Sequence, residues 1–194
     1  MEGVIKFDFR NISNDVYDND LVRELIDLRN QLNKLSLVAA YDDGLGYGNV
    51  SFRENDCFYI TASQTGHLNS LEPENIVKIL KTDPIDMLIE YSGNSKPSSE
   101  SVSHYMIYNS NPKIDLIVHF HNFELWEKLS HDKTIISVTG EYGSKELAEN
   151  LSKAVMAKNS GVIYMKDHEE GVIIFGSKSD VVRLFKRFCN VELR

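Results

Sequence analysis

The amino-acid sequence predicts an α/β protein in which helices cover a mixed, largely antiparallel β-sheet. Apolar residues recur with helical periodicity in separate stretches, and these stretches alternate with short β-branched runs that end at turn residues. Two pairs of such runs lie close together, at 49–61 and 161–175, as expected of antiparallel hairpins. Helices interleaved with hairpins favour a sheet with helical cover over a small all-β barrel.

Helices are predicted where apolar residues recur at helical spacing behind a residue that can cap the first turn. In the first helix, leucines from Leu21 to Leu35 step by four and three residues, and Asp18 or Asn19 can cap it. The other predicted helices are one that Ser98 or Ser99 caps and Asn111-Pro112 ends, one or two turns at 124–129, one from Ser144 to about Lys158, and one after Ser177 or Ser179 with Val182, Phe185, Phe188 and Cys189 as candidate buried positions.

Strands are predicted where β-branched and aromatic residues form short runs between turn signals. The predicted strands are 49–53, 57–61, 75–80, 87–91, 114–120, 134–138, 161–166 and 171–175. No repeat, low-complexity tract or linker divides the chain of 194 residues. A single domain over 1–194 is therefore expected, with 1–18 as an N-terminal arm or a short strand.

Composition and charge exclude several classes of protein. The net charge is −8 and no Lys/Arg cluster is present, which argues against a nucleic-acid partner. The first residues lack an apolar signal segment, and the sequence has no run of about 18 apolar residues, so no membrane span is expected. Cys57 and Cys189 lie outside any Cys-x-x-Cys spacing and are expected to be buried, reduced thiols. These features predict a cytoplasmic protein.

The most informative motif is Val118-His119-Phe120-His121, in a predicted strand. Side chains alternate along a strand, so His119 and His121 should face one way and Phe120 the opposite layer. Two neighbouring imidazoles supply half of a tetrahedral metal site, and His168 in the 166–171 hairpin turn could supply a third ligand. The alternative is that these histidines are only hydrogen-bonded to neighbours. His67, His104 and His131 have no such spacing and are expected to be structural or exposed.

Glu100 in Lys96-Pro97-Ser98-Ser99-Glu100 is the candidate catalytic carboxylate. One interpretation is that a glutamate in the first turn of a helix only complements the helix dipole. The other is that Ser98, Ser99 and free N–H groups of that turn hold an anion, beside which Glu100 acts as acid or base. An Asn49 amide could be offered to the same anion, and the 63–66 loop is a polar loop or a second set of phosphate donors.

Several segments occur in an order that carries a family resemblance. They are Gly48-Asn49-Val50-Ser51, Ile60-Thr61-Ala62-Ser63, Pro97-Ser98-Ser99-Glu100 with His104 and Tyr108, Val118-His119-Phe120-His121, Tyr142-Gly143-Ser144-Lys145-Glu146-Leu147 and the hairpin around His168. This succession resembles the class II aldolase/adducin-like family over nearly all of 21–188. The resemblance implies a three-layer α/β/α fold with a central, mainly antiparallel sheet, and a homotetramer with active sites at subunit interfaces.

The resemblance also implies roles for individual residues. His119, His121 and His168 match the family's ligands for Zn²⁺ or another divalent metal, and Glu100 matches its catalytic carboxylate. The positions that match substrate and phosphate binding are Asn49, Ser63, Thr65, Gly66, Ser98 and Ser99, and the sequence leaves open whether Ser63-Gln64 or Thr65-Gly66 forms the phosphate loop. The family's usual Asn-His-Gly is Asp167-His168-Glu169-Glu170-Gly171 in this chain, which brings extra acids close to the metal.

The implied function is that of a zinc-dependent aldehyde lyase, which cleaves a small ketose or ketose phosphate through a zinc-stabilised enediolate. A dehydratase or epimerase of the same fold is an alternative, although the family's epimerases carry Asp at the position of Glu100. A second alternative is a non-enzymatic adducin-like binding module, whose members generally lose the metal residues. A cupin-type metalloprotein fits less well, since Glu124 and Glu127 stand at the wrong distance from His121.

Overall fold

A computed structural model describes residues 8–83, 86 and 88–193 of the chain. Its helices are α1 Asp20–Lys34, α2 Ser101–Ser110, α3 Phe123–Ser130, α4 Lys145–Val155 and α5 Lys178–Cys189. Its strands are β1 Asp8–Ser13, β2 Ala39–Ala40, β3 Gly46–Tyr47, β4 Asn49–Glu54, β5 Cys57–Thr61, β6 Ile76–Asp83, β7 Leu88–Ser92, β8 Leu116–His121, β9 Ile136–Val138, β10 Gly161–Met165 and β11 Gly171–Gly176. Within the described ranges, no helix is both long enough and apolar enough to span a bilayer.

The main sheet has nine strands in the order β1-β7-β6-β5-β4-β8-β11-β10-β9. Every interior pair is antiparallel, whereas β1 pairs with β7 and β10 with β9 in parallel. The prediction of a mainly antiparallel sheet therefore holds for the interior and is wrong for both edges. At one edge the reason is visible, because α4 connects β9 to β10 and a helical crossover joins parallel strands.

Helices pack on both faces of this sheet. One hydrophobic core contains residues of α1, α3 and α5, and the other contains residues of α2 and α4. Strand β8 contributes to both, since Val118 and Phe120 point into the first core and Ile117 into the second. His119 and His121 share the side of Ile117, as the alternation along a strand requires. The predicted orientation of the two histidines relative to Phe120 is thus confirmed.

The predicted capping residues are correct for three helices. Asn19, Ser144 and Ser177 each accept a hydrogen bond from a backbone N–H of the first turn. The expected cap of α2 is wrong, because Glu100 itself is the N-cap residue, and its side chain makes no capping hydrogen bond. Ser98 lies further back, in the turn that precedes the helix, where its carbonyl accepts hydrogen bonds from the backbone and side chain of the residue at 101.

Other differences concern the ends and faces of elements. The helix predicted to reach Lys158 ends at Val155, and the strand predicted at 114–120 is shifted to Leu116–His121. In α5 the fully buried positions are Val181, Leu184 and Phe185, while Val182, Phe188 and Cys189 are only partly buried, so the apolar face is rotated. Cys57 and Cys189 are free thiols, and both are half-buried.

The N-terminal segment also resolves one open alternative. The sequence allowed an arm or a short strand at 1–18, and Asp8–Ser13 forms the strand β1 at an edge of the main sheet. The part of the predicted arm at 1–7 lies outside the described residues, as does Met87 of the predicted strand at 87–91.

Candidate metal centre and adjoining pocket

Three histidine side chains converge on one point beside the main sheet. The Nε2 atom of His121 lies 3.2 Å from Nε2 of His119 and 3.0 Å from Nε2 of His168. All three residues are buried, and their ligand atoms lie within 4.8 Å of one another. His119 and His121 come from β8, and His168 comes from the hairpin between β10 and β11. The predicted convergence of the three imidazoles is therefore present.

The sheet register explains why these side chains meet. Gly171, the first residue of β11, pairs with His121, and Asn49, the first residue of β4, pairs with His119. A hairpin that returns next to β8 brings His168, three residues before the start of β11, over the same face. Gly171 must be small, because a Cβ atom there would stand 2.9 Å from Cδ2 of His168.

Hydrogen bonds define the tautomers of two of the rings. The Nδ1 atom of His119 lies 3.2 Å from the carbonyl oxygen of Val172, which can only accept, so Nδ1 carries the proton. The Nδ1 atom of His121 lies 2.7 Å from the Tyr41 hydroxyl, which in turn donates to Glu170 Oε2 at 3.1 Å. A phenol has one proton, so Nδ1 of His121 is the donor to Tyr41. Both rings then present an Nε2 lone pair to the shared point.

Glu100 completes this cluster of acceptors. Its Oε2 atom lies 3.1 Å from Nε2 of His119 and accepts a hydrogen bond of 2.8 Å from the Asn49 amide. The Oε1 atom of Glu100 and the Oδ1 atom of Asn49 are buried and have no hydrogen-bond partner in the described part of the chain. Buried acceptors without partners are costly and are usually satisfied by an ion, water or ligand. They mark the place where a ligand would be held.

The electrostatics of the cluster favour the neutral form of His121. Burial lowers the pKa of His121 far below that of a free imidazole, and the neighbouring His119 and His168 lower it further. Behind the cluster, burial lowers the pKa of His104 to about 3, against a smaller raising effect of Glu100. His104 makes a hydrogen bond of 2.7 Å with Ser51 Oγ, which confirms its expected structural role. Neutral imidazoles are the form that binds metal.

The donor set fits a divalent cation such as Zn²⁺. Nitrogen ligands about 2.0–2.1 Å from a tetrahedral zinc ion stand roughly 3.3 Å apart. The two measured Nε2 separations, 3.0 and 3.2 Å, are close to that spacing. Without a cation, lone pairs on His119 and His121 and the Oε2 atom of Glu100 would face one another at contact distance. The chemistry of the cluster therefore suits a metal ion held by three histidines, with Glu100 beside it.

A polar pocket adjoins the histidine cluster and gathers all the predicted substrate-binding residues. Its lining consists of Gly46, Tyr47, Gly48, Asn49, Ala62, Ser63, Gln64, Thr65, Gly66, Ser98, Ser99, Glu100 and Tyr142. None of these side chains is basic, so an anion in the pocket would be bound by hydroxyl, amide and backbone N–H groups. The structure thus brings the residues predicted at 49, 63–66 and 98–100 to one place.

The loop at 62–66 is held from behind by a residue that the sequence analysis missed. Arg29 of α1 is fully buried, and its guanidinium donates hydrogen bonds to the carbonyl oxygens of Thr65 (2.5 Å), Gly66 (3.2 Å) and Leu68. Burial lowers the pKa of Arg29 to about 10, which leaves it charged at neutral pH. An arginine on a leucine-rich helix face is an unusual pattern that could have drawn attention to it.

Gly66 allows this loop to pack closely. A Cβ atom there would stand only 1.9 Å from the carbonyl oxygen of Ala39, on the neighbouring β2 strand. The Thr65 hydroxyl is turned inward and donates to the Ala62 carbonyl at 2.9 Å, so it stabilises the loop. The Ser63 side chain makes no such bond within the described chain. The two candidate halves of the predicted phosphate loop therefore differ. Thr65 and Gly66 make contacts that shape the loop, whereas the Ser63 side chain makes none of this kind within the described chain.

Two tyrosines were not predicted as site residues. Tyr142 lines the pocket, hydrogen-bonds the Ser99 hydroxyl and packs edge-on against His168, with ring centroids 5.1 Å apart. Tyr41 contacts His121 from the opposite side. Tyr142 stands in one of the quoted family motifs, but nothing in the local sequence indicates that Tyr41 reaches the cluster. Both tyrosines are well separated in sequence from the histidines that they contact, so no local pattern of residues indicates these contacts.

The fold and the site define a class of protein. Residues 24–126 match the class II aldolase and adducin N-terminal domain, and the chain belongs to that family. The chain is 30% identical over 149 residues to the L-fuculose phosphate aldolase of Methanococcus maripaludis, covering 65% of this chain and 77% of the relative. It is 28% identical over 144 residues to the 3-oxo-tetronate 4-phosphate decarboxylase of Haemophilus influenzae, covering 61% and 66%.

A solved structure shows the same fold. YgbL of Klebsiella pneumoniae superimposes with a TM-score of 0.66 at 18% sequence identity, over 88% of this chain and 86% of that one. The match of residues 24–126 to the family model confirms the family resemblance predicted from the ordered motifs. The predicted homotetramer, the cytoplasmic location and the single-domain boundaries stay predictions.

Proposed function

We propose that this protein is a metal-dependent lyase that cleaves a carbon–carbon bond in a small ketose or ketose phosphate. The single observation that carries the proposal is the meeting of three histidine Nε2 atoms with Oε2 of Glu100, a residue that also lines a polar pocket. The curated relatives reported above, named as an aldolase and a decarboxylase, support a lyase over a binding module. In addition, the metal residues that non-enzymatic members generally lose are all present.

His119, His121 and His168 would hold the metal, with Zn²⁺ as the first candidate. When bound, a divalent cation polarises the substrate carbonyl and stabilises the negative charge left on its oxygen. All three histidines are buried, and burial holds the pKa of His121 well below its usual range, so His121 binds the cation without competition from protons near neutral pH. Their rings are fixed by β8 and by the β10–β11 hairpin, which keeps the ligand geometry from shifting during the reaction.

Glu100 would move the proton that carbon–carbon cleavage requires. Its Oε2 atom is engaged by Asn49 and lies next to His119, whereas Oε1 is buried without a partner in the described chain. Oε1 is therefore the atom free to take a proton from a substrate hydroxyl and return it to the departing carbon. A side chain positioned in this way contributes typically 10²–10⁴-fold to the rate.

The remaining pocket residues would bind and orient the substrate. Asn49 Oδ1 has no hydrogen-bond partner among the residues that the structure describes, and it is an acceptor suited to a substrate hydroxyl. Ser98 Oγ accepts an Asn49 hydrogen bond of 3.2 Å that orients the amide. Ser63 offers a hydroxyl at the loop, while Thr65 and Gly66 give the loop its shape. We propose that Ser63 and Ser99 contact the phosphate of a phosphorylated substrate, in agreement with relatives named for phosphorylated compounds.

A decarboxylase acting on a phosphorylated sugar acid is a second candidate. The similarity to the 3-oxo-tetronate 4-phosphate decarboxylase favours it, and loss of CO₂ beside a carbonyl leaves the same kind of negative charge for a metal to stabilise. Glu100 would then only protonate the carbon that remains. The two candidates differ in product, because one releases an aldehyde and the other CO₂.

The test combines metal analysis with an activity panel. The protein is reconstituted with Zn²⁺, Co²⁺ or Mn²⁺, its metal content is measured, and it is assayed on ketose 1-phosphates, free ketoses and phosphorylated 3-oxo acids. We expect about one metal ion per chain and turnover of a phosphorylated substrate. His119→Ala should lose both, whereas His131→Ala, at an exposed histidine, should keep both. A metal-replete protein that turns over no member of the panel would contradict the proposal.

A further inference from the structure

The outer side of His121 carries a hydrogen-bonded relay that ends in a carboxylate. Nδ1 of His121 lies 2.7 Å from the Tyr41 hydroxyl, and that hydroxyl lies 3.1 Å from Oε2 of Glu170. The direct separation of His121 Nδ1 and Glu170 Oε2 is 3.7 Å, too long for a hydrogen bond. Tyr41 therefore connects the imidazole to the carboxylate, and the two do not pair directly.

The order of proton donors in this relay follows from chemistry. A carboxylate accepts and a phenol has one proton, so Tyr41 donates to Glu170 and accepts from Nδ1–H of His121. The tautomer with a proton on Nδ1 is the one that leaves the Nε2 lone pair for the metal. A second tautomer, protonated at Nε2, would block the shared point between the three histidines. The relay thus favours the ring state in which metal can bind.

The backbone at Glu170 is adapted to this contact. Its φ of 66° lies in the left-handed region, which is disfavoured for residues with a Cβ atom, and its carbonyl accepts a hydrogen bond of 3.0 Å from the Asn122 backbone N–H. Glycine or asparagine would fit this turn position more easily. A glutamate is present instead, and its side chain reaches the Tyr41 hydroxyl.

Tyr41 is held in place by a small aromatic cluster. Its ring lies 4.5 Å from that of Tyr47, and Tyr47 stacks on His121 with ring centroids 5.1 Å apart and an interplanar angle of 24°. The backbone of Tyr41 also exchanges hydrogen bonds with the turn that follows, through Leu45 and Gly44. The hydroxyl is therefore fixed by packing as well as by its hydrogen bonds.

We propose that Tyr41 and Glu170 are positioning residues for the metal ligand His121. They would hold its tautomer and ring orientation and increase the electron density on Nε2, as carboxylates behind histidine ligands do. The inference rests on the metal site of the proposed function and adds residues that the family motifs do not include. It also assigns a role to an acid, Glu170, that the sequence marked only as a departure from the usual pattern.

The test is metal affinity, measured by competition with a chromophoric chelator for Zn²⁺. Tyr41→Phe and Glu170→Gln should each weaken binding about 10–100-fold, the usual effect of removing such a partner. Because both act through one chain of hydrogen bonds, the double variant should be little weaker than either single variant. Glu169→Gln is the matched control, since it removes the same charge from an exposed neighbouring residue and should leave affinity within about 2–3-fold, as a solvent-screened charge would.

A second measurement separates positioning from simple stability. Long-range ¹H–¹⁵N spectra of the metal-free protein report which ring nitrogen of His121 is protonated. We expect Nδ1–H in the parent and in Glu169→Gln, and a mixture of tautomers in Tyr41→Phe. Equal affinity of Glu170→Gln and Glu169→Gln, or additive losses in the double variant, would overturn the inference. A parent protein that binds no metal would overturn the proposed function, and the inference with it, before any variant is compared.

Discussion

The metal end and the loop end of the candidate site are built in different ways. At the metal end, His119 and His121 project from a central strand, and hydrogen-bonded register places Asn49 and Gly171 beside them. At the loop end, the 62–66 segment has little regular structure, and its carbonyl groups depend on a buried arginine from α1. Regular backbone pairing therefore positions His119 and His121, whereas a side chain from a distant helix positions the 62–66 loop.

Because the two ends are built differently, substitutions at one end should affect substrate binding and substitutions at the other should affect metal-dependent turnover. Damage at the loop end should raise KM and leave the metal in place, because Arg29 holds the carbonyl groups of Thr65 and Gly66, and Thr65 also bonds within the loop. Damage next to the metal should lower turnover without altering the loop.

Replacement of Glu100 by glutamine should lower kcat by roughly 10²–10⁴-fold, because the amide cannot take up a proton at Oε1. Metal content should stay close to that of the parent, since the three histidines are unchanged. Turnover and metal content are measured on the same preparation. Glu146→Gln, at an exposed acid in the first turn of α4, is the control and should be silent. Parent-like turnover by Glu100→Gln would remove Glu100 from the mechanism.

Replacement of Arg29 by methionine should lower the free energy of unfolding by about 3 kcal/mol. The carbonyl oxygens of Thr65, Gly66 and Leu68 would lose their donor while remaining shielded from water. KM should rise in the surviving folded protein, with metal content unchanged. Urea unfolding and steady-state kinetics measure the two effects. Arg23→Met is the control on the same helix, because its ion pair with Asp18 is exposed and contributes little.

If instead the Arg29→Met protein lost its metal in proportion to its substrate affinity, the two ends of the site would be one cooperative unit. Metal binding and the shape of the 62–66 loop would then depend on each other. Equal stability of the two arginine variants would contradict the anchoring role of Arg29 itself.

Acid should destabilise the metal-free protein through His104. Its pKa is lowered to about 3 in the folded state, against 6.5 for a free imidazole. Between these values the unfolded chain binds the proton and the folded chain does not, so stability falls as pH decreases below 6.5. The slope is about 1.4 kcal/mol per pH unit for one such group. His121, whose pKa is also lowered, adds a contribution of the same sign.

Urea titrations of the metal-free protein between pH 7 and 5 measure this slope. His104→Asn should flatten it by about one proton, whatever its effect on stability at pH 7. An unchanged slope in that variant would show that His104 does not resist protonation in the folded protein.

The smallest effect is expected at the substrate loop. Ser63→Ala should raise KM for a phosphorylated substrate by about 10-fold, the lower end of the effect of losing one hydrogen bond to a charged group, because Ser63 is only half-buried. The KM of the unphosphorylated analogue should not change. Thr65→Val should behave differently, because Thr65 bonds the Ala62 carbonyl, and its main effect should be on stability. If Thr65→Val raised KM for the phosphorylated substrate and Ser63→Ala did not, the phosphate contact would be assigned to Thr65 instead of Ser63.

The pattern of residues along the chain was enough to predict most elements and the metal end of the site. Capping residues such as Asn19 and Ser177, and the alternation of His119, Phe120 and His121, are local features. Such local features can be predicted from the sequence, because backbone geometry sets which side chains of a helix or strand share a face. The ordered motifs further indicated the family, and with it His168 as the proposed third ligand.

The other features of the fold and of the candidate site depend on tertiary contacts between segments that are distant in sequence. The parallel edges of the sheet depend on where β1 and β9 dock, and the anchoring of the loop depends on Arg29, 36 residues before Thr65. The relay from His121 through Tyr41 to Glu170 joins side chains separated by 80 and 129 positions. No periodicity or spacing encodes such pairs, because they form only when separate strands and turns are packed into one sheet.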